Sequence, residues 1–457
     1  MMMKRGLLGT LLAVALARGL WAQLPAGGWL TGNEGYYVIY FSEAFVPQAT
    51  PNAWGAWATA GGGIAVDGDR MVYVTDSPWS VYRISYDPQL TPGARLVVEA
   101  PGSSFPYPAY GVLPQIVAAR DRLWFVEATG VLRSVGKSVI GQIPVRHGNS
   151  IWVPNTNVLG TVQSLCTDGR LLFFSTGLFD GLSGSPSVPQ NDIWSVDLRA
   201  PTIARRHVAA IPGDSWTQLC MGLDGDVLAM RMDGLRRIVP ETGSVTFVCG
   251  APNHVHFSGS VSGKIFMAYD PWQDKVAVGA GWLPNTTHIQ WKDLTGNGAW
   301  SMAYYFPFFA TLRKFTCASE PPFQLFGVGC VNALGKEPRM GWRGLPRQGQ
   351  TFTLKLRDAE PNGLAAFWVG MSDSFWPGIG ALPFEASNFG APGCRMYASS
   401  EFSLFTFADS QGNASMPMSV PMNPALHGFE VFAQTVSTSG ANALGFAASE
   451  AVAIRLR

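Results

Sequence analysis

The chain has 457 residues, long enough for two or three domains with sizeable cores. Charged residues make up only 14% and the formal net charge is +1, so no basic stripe is available to neutralise phosphates and nucleic acid is not an expected partner. With 52 glycines, 32 prolines and 12% aromatic residues, the composition suits many turns and few helices, which predicts an all-β protein.

The first elements in the chain are those of a secretory signal peptide. Lys4 and Arg5 form a charged start, and Gly6–Ala17 is an apolar stretch too short to span a bilayer. Cleavage after Ala17 satisfies the small-x-small rule. Cleavage after Ala22 leaves "RGLWA" as the stretch that precedes the cut, and it sets the expected signal segment at residues 1–22. An uncleaved anchor is the alternative. No later segment is apolar and long enough to cross a membrane. The mature chain is therefore expected to be soluble and exported, extracellular or at the cell surface, with the periplasm as alternative.

Residues 23–320 carry a repeat. The stretch "IAVDGDRMVYVTDSPWSVYRI" (Ile64–Ile84) sets an apolar run, a tight Asp-Gly turn and a second apolar run in succession. Comparable units begin at Ile116, Val162, Thr217, His256 and Ile289. Their turns fall roughly 35–55 residues apart, a blade-like period. Within each run the alternation is two-residue, as a strand requires. Most copies add a third and a fourth run, and four antiparallel strands make one propeller blade. Six copies predict about six blades, with five or seven as alternatives. The sixth copy has "ATLRKFTC" (Ala310–Cys317) as a third run and no fourth. The N-terminal run "GYYVIYFS" (Gly35–Ser42) lacks partners and is expected to supply the missing strand and close the ring. On "DGDRMVYVTD…VYRI" and its weaker echoes, Gly35 to Cys317 resembles the NHL-type and related six-bladed propellers. That fold is shared by lyases, lactonases, sugar dehydrogenases and pure binding modules, so the resemblance does not choose among activities.

Residues 321–457 change character. The Asp-Gly turn disappears, and runs such as "TFTLKLRDA", "GLAAFWVGMS", "GFEVFAQTV" and "AVAIRLR" predict a β-sandwich of seven or eight strands. The motifs "GVGC" (Gly327–Cys330), "GQTFTLKLRDAEPNGLAAFWVG" (Gly349–Gly370), "FGAPGC" (Phe389–Cys394) and "ADSQGNASMPMSVPMNPALHGFEVFAQ" (Ala408–Gln434) resemble a C-terminal β-sandwich of secreted proteins from environmental bacteria. The resemblance implies surface attachment, sorting or spacing, and no catalysis. It also supports a Cys330–Cys394 disulfide, both residues lying in glycine-rich turns of one module. Cys317–Cys330 is the rival pairing. Most of Cys166, Cys220, Cys249 and Cys317 read as buried thiols, with their pairing left open, and without a CxxC nothing supports a zinc ribbon or a thioredoxin-type site.

The connections entering each innermost strand, and those between second and third runs, are expected to open on one face of the propeller. Their composition repeats Trp, Tyr, Pro and Asn. Trp54, Trp57, Trp79, Tyr110, Trp152, Trp216 and Trp272 are the candidate ligand-binding residues, because exposed aromatic rings beside amides suit a sugar or a peptide. The competing reading has these rings plugging gaps between blades. Four of the six histidines fall in the same connections: His147, His254, His256 and His288. Neutral imidazoles meeting at a channel mouth, with Asp214 or Asp270, would make a site for zinc or a similar divalent metal.

The expected function is therefore non-catalytic binding or scaffolding outside the cell, by a monomer that needs no cofactor. The ligand would be a polysaccharide or an extracellular protein. The alternative is a metal-dependent lyase or hydrolase centred on the histidines.

Overall fold

The computed structural model describes residues 29–33, 38–41, 47–49, 64–67, 72–76, 80–86, 96–100, 115–119, 121–126, 131–137, 145–147, 160–178, 192–200, 206–211, 217–231, 233–252, 264–281, 287–306, 312–317 and 321–457. The expected signal segment lies outside them.

Six four-stranded antiparallel sheets form a propeller, and a β-sandwich follows. The innermost strands are Ile64–Val66, Gln115–Ala118, Gly160–Thr167, Gln218–Met221, Lys264–Asp270 and Leu312–Cys317. Each contacts the next around a closed ring, the last returning to the first. Five sheets are continuous in sequence. The sixth takes its innermost strand, Leu312–Cys317, from the end of the propeller and three outer strands, Trp29–Asn33, Val38–Phe41 and Pro47–Ala49, from the start. The run at Gly35–Ser42 thus contributes to closure, as expected, together with a strand on either side of it. Joining both ends of the propeller in one sheet removes the exposed edges.

The repeat phasing shifts in the fifth blade. Lys264–Asp270 is its first strand, and Lys275–Gly281, Thr287–Asp293 and Ser301–Phe306 follow. The units starting at His256 and Ile289 therefore belong to a single blade, and "ATLRKFTC" is the innermost strand of the sixth. The physical reason is the turn. Asp270 Oδ1 accepts the Trp272 N–H at 2.9 Å, and Asp274 holds a left-handed φ of 49°, so "DPWQDK" makes the tight turn between first and second strands. No Asp-Gly pair marks it.

Second strands also depart from two-residue alternation. Every residue of Val227–Arg231 is buried. Phe173 packs toward the fourth blade, with Leu219, Val227 and Ala229, while its neighbour Phe174 packs toward the second, with Trp124, Val126 and Leu132. A mid-blade strand has a blade on each side, so both of its faces are apolar.

The sandwich pairs a five-stranded sheet with a three-stranded one. The larger has the order Phe323–Phe326, Phe446–Arg455, Glu430–Thr438, Leu364–Gly370, Phe402–Phe407. The smaller is Arg339–Arg343, Thr351–Arg357, Ala414–Ser419. Phe352, Leu354 and Leu356 alternate inward to meet Phe367 and Val452 in the core. Cys330 and Cys394 form a disulfide in a separate apolar cluster with Ala386, Met396 and Ala448. Cys166, Cys220 and Cys249 are free thiols.

Candidate functional site

Turns between first and second strands, and between third and fourth, leave every blade at one end. The sandwich docks on that end of blades three to five. In blade three, Thr167-Asp168-Gly169-Arg170 makes the turn: Asp168 Oδ1 accepts the N–H groups of Arg170 and Leu171 at 2.8 and 2.7 Å. Gly169, at φ +101°, lies against the sandwich backbone, where a Cβ would fall 2.4 Å from the Leu325 carbonyl oxygen. Leu325 N–H donates to the Asp168 carbonyl at 3.0 Å. In blade four, Asp224 Oδ1 accepts the Gly344 N–H at 3.0 Å, and the Leu223 carbonyl accepts Trp342 Nε1–H at 3.0 Å.

Charge closes the same interface. Arg199 reaches Asp197 at 2.6 Å and Glu337 at 2.5 Å. Arg170 lies 3.1 Å from Glu337 and 2.9 Å from Glu450, the second contact being an ion pair without hydrogen-bond angles. Burial pushes both acidic partners of Arg199 upward. Its hydrogen bonds outweigh that and hold Asp197 and Glu337 below the usual carboxylate range. Glu450 is the reverse: burial dominates and raises it, despite Arg170. Arg357 and Glu241 add an ion pair at blade four.

The docked sandwich forms the floor of the propeller channel. A cavity of about 250 Å3 lies between the inner strands of blades one to five and is bounded below by Pro321, Pro322, Phe323 and Trp342. Phe323 and Trp342 stack at 4.7 Å, which stiffens the floor. Polar groups in the wall are largely engaged in joining blades. Ser164 Oγ accepts the Leu219 N–H at 2.9 Å, and Cys220 Sγ lies 3.4 Å from the Met267 carbonyl. Burial pushes the Cys220 thiol up to about 12 and raises Cys166 as well. Neither is a nucleophile at neutral pH.

The opposite end of the ring carries the connections that enter innermost strands and those between second and third strands. Trp54, Trp57, Trp79, Tyr110, Trp152, Trp216, His254 and His256 belong to these connections and lie outside the described residues. Trp272 does not share that end. It sits in the first turn of blade five, only 4% exposed, with the Arg457 guanidinium 4.7 Å from its ring. It is therefore a docking residue beneath the sandwich, and its assignment to an exposed binding face is corrected. The companion Asp270 is buried in the same turn, serving Trp272 N–H.

The two candidate histidines on described elements, His147 and His288, lie far apart. His147 follows the outermost strand of blade two, and His288 lies on the third strand of blade five, across the six-blade ring. Neither is on an innermost strand. Among the described residues no three His, Cys, Asp or Glu side chains are grouped to hold a metal. His147 Nε2 is 2.7 Å from Ser134 Oγ, which accepts Arg122 Nε–H at 3.0 Å. The direction of the Ser134–His147 hydrogen bond follows the imidazole tautomer. Burial, then the Arg122 charge, lowers the His147 pKa. A Ser–His pair at this distance has nucleophile–base spacing, but Ser134 is wholly buried and its oxygen is held by Arg122 Nε–H, out of a substrate's reach. The ring rests on Trp124, 4.9 Å away, as part of the blade's packing.

The exposed aromatics of the sandwich went unnoticed in the sequence. Phe402, Phe405 and Phe407 are all solvent-facing on one edge strand. The signal was there in "FSLFTF", an uncharged strand where an edge ordinarily carries charge or proline.

No protein family matches the chain, and no curated protein does. Among solved structures it is similar to a structural-genomics protein of unknown function from Bacteroides thetaiotaomicron, at 13% identity over 65% of this chain and 79% of that one, with a TM-score of 0.40. The β-propeller domain of Cps50 (Swd1) from Myceliophteria thermophila gives 11% identity, 72% and 90% coverage and a TM-score of 0.36. The Dos1 propeller gives 11% identity, 72% coverage of each chain and a TM-score of 0.33.

Proposed function

We propose that this is an exported, non-catalytic binding protein whose propeller takes a polysaccharide or an extracellular protein at the end of the channel facing away from the sandwich. The observation that carries the reading is the closed floor. Pro321–Phe323 and Trp342 occupy one end of the channel, which leaves the other for a ligand. By strand order the tryptophan-rich connections run at the end away from the sandwich. A ligand there would meet rings for stacking and amides for hydrogen bonds, while the sandwich holds the blades from below.

The signal-like N-terminus and the Cys330–Cys394 disulfide support an oxidising, extracytoplasmic setting. Among the described residues no helix is long and apolar enough to cross a membrane. The extent of docking also bears on the sandwich. A module held by ion pairs, an indole hydrogen bond and a buried turn presents the propeller in one fixed orientation if it attaches the protein to a surface.

The test is a double variant, Trp152→Ala with Trp216→Ala, in the mature chain. Binding to immobilised cell-surface polysaccharide or to secreted protein should fall at least tenfold, about 1.4 kcal/mol. Unchanged binding in a variant that melts like the parent sinks the reading.

A further inference from the structure

A second candidate site lies wholly within the sandwich and does not rest on the propeller reading. The turn 408–413 joins the edge strand Phe402–Phe407 to the strand Ala414–Ser419 of the other sheet, and a groove of about 430 Å3 opens there. One wall is Lys355 and Arg357, the outward alternates of a strand whose Phe352, Leu354 and Leu356 fill the core. The other is Phe407, 70% exposed, with Leu364 as its cross-strand neighbour. Asp409 and Asn413 line the groove from the turn.

The donor and acceptor set decides the ligand class. Lys355 offers donors, Asp409 an acceptor, and Asn413 both. A sugar hydroxyl is itself both donor and acceptor, so it can use all three. Asp409 Oδ1 already accepts the N–H groups of Gln411 and Asn413 at 2.8 Å each. Those bonds fix its orientation and lower its pKa, and Oδ2 carries only a long 3.5 Å contact from Asn413 Nδ2–H. Arg357 is neutralised by Glu241 of the propeller. The remaining charges, Lys355 and Asp409, are opposite. An anion would be repelled by Asp409 and a cation by Lys355. An uncovered aromatic ring at such a place serves the apolar CH face of a sugar ring. The volume falls in the range of small-ligand clefts, roughly 300–1,000 Å3.

We propose that this groove binds one or two sugar rings of a neutral polysaccharide, with Phe407 as the stacking platform and Lys355, Asp409 and Asn413 as hydroxyl partners. The mature full chain would be run by affinity electrophoresis through gels containing β-glucan, mannan or xylan, with polygalacturonate as the acidic comparison. At least one neutral gel should retard it. Phe407→Ala and Phe407→Leu should both weaken retardation about tenfold, because leucine keeps the apolar volume but not the ring face. Lys355→Met should weaken it several-fold. Each variant is at the surface, and an unchanged melting temperature confirms that it folds.

No retardation in any neutral gel overturns the proposal. So does equal retardation of the parent and Phe407→Ala. Stronger retardation by polygalacturonate that added salt abolishes also overturns it, in favour of simple anion attraction. The propeller variants Trp152→Ala and Trp216→Ala leave these residues intact, so the two readings fail independently.

Discussion

Arg170 and Glu450 lie 2.9 Å apart, one in a blade turn of the propeller and the other on the last strand of the sandwich. Both are almost fully buried. Removing one member of such a pair strands the other charge away from water. Arg170→Ala should therefore lower stability by about 3–5 kcal/mol, read by chemical denaturation. The loss should also depend on pH. Burial raises the Glu450 pKa in the folded state, so between the ordinary glutamate value and that raised value the folded chain binds more protons than the unfolded one. Stability falls as pH rises through that window. Without Arg170 the window widens upward. The variant should be nearest the parent in acid and furthest from it above neutrality.

Gly169 tests the same docking by shape. At φ +101° with the Leu325 carbonyl in the place of its Cβ, it accepts no side chain. Gly169→Ala should cost about 1–3 kcal/mol and expose the segment joining the two domains to protease before the blades unfold. Limited proteolysis with mass mapping of the first cut checks this. A first cut within the blades instead would contradict the proposed order of opening.

His147 gives a pH response of opposite sign to that of Glu450. Its folded-state pKa is lowered, first by burial and then by Arg122. Between that value and the ordinary histidine value the unfolded chain binds more protons, so the stabilisation present above the ordinary value is lost as pH falls through the window. His147→Gln should flatten this part of the stability–pH curve. Melting curves from neutral to mildly acidic pH on both proteins would show it.

The Cys330–Cys394 bridge closes a 64-residue separation in the sandwich. Reduction, or Cys330→Ser with Cys394→Ser, should lower the stability of that domain by about 2–4 kcal/mol. Among the described residues Cys166, Cys220 and Cys249 are the free thiols. Because Cys330 and Cys394 are bridged, labelling of native protein under non-reducing conditions should leave them unmodified.

Much of the architecture was legible before folding. Blade strands announce themselves because every one must bury apolar faces, and Asp-Gly turns punctuate them. The phasing slipped only in blade five, where Asp270 and a left-handed Asp274 make the turn without glycine. That slip carried Trp272 to the wrong end of the ring. A tryptophan in a tight turn looks the same in sequence whether solvent or another domain covers it. The Phe405 and Phe407 pair was hidden for the converse reason, since an apolar strand reads as core until its neighbours are known.

By itself, the sequence determined the all-β class and the blade-and-sandwich order, because periodicity and turn chemistry are local properties of the chain; between Cys330–Cys394 and Cys317–Cys330 the structure chose the first. Tertiary structure alone decided which blade end the sandwich covers, that Arg170, Arg199, Glu337 and Glu450 meet there, and that Lys355 and Phe407 share a groove. Residue separations of more than a hundred positions divide the two sides of that interface, and only the packing of distant segments brings their charges and rings together.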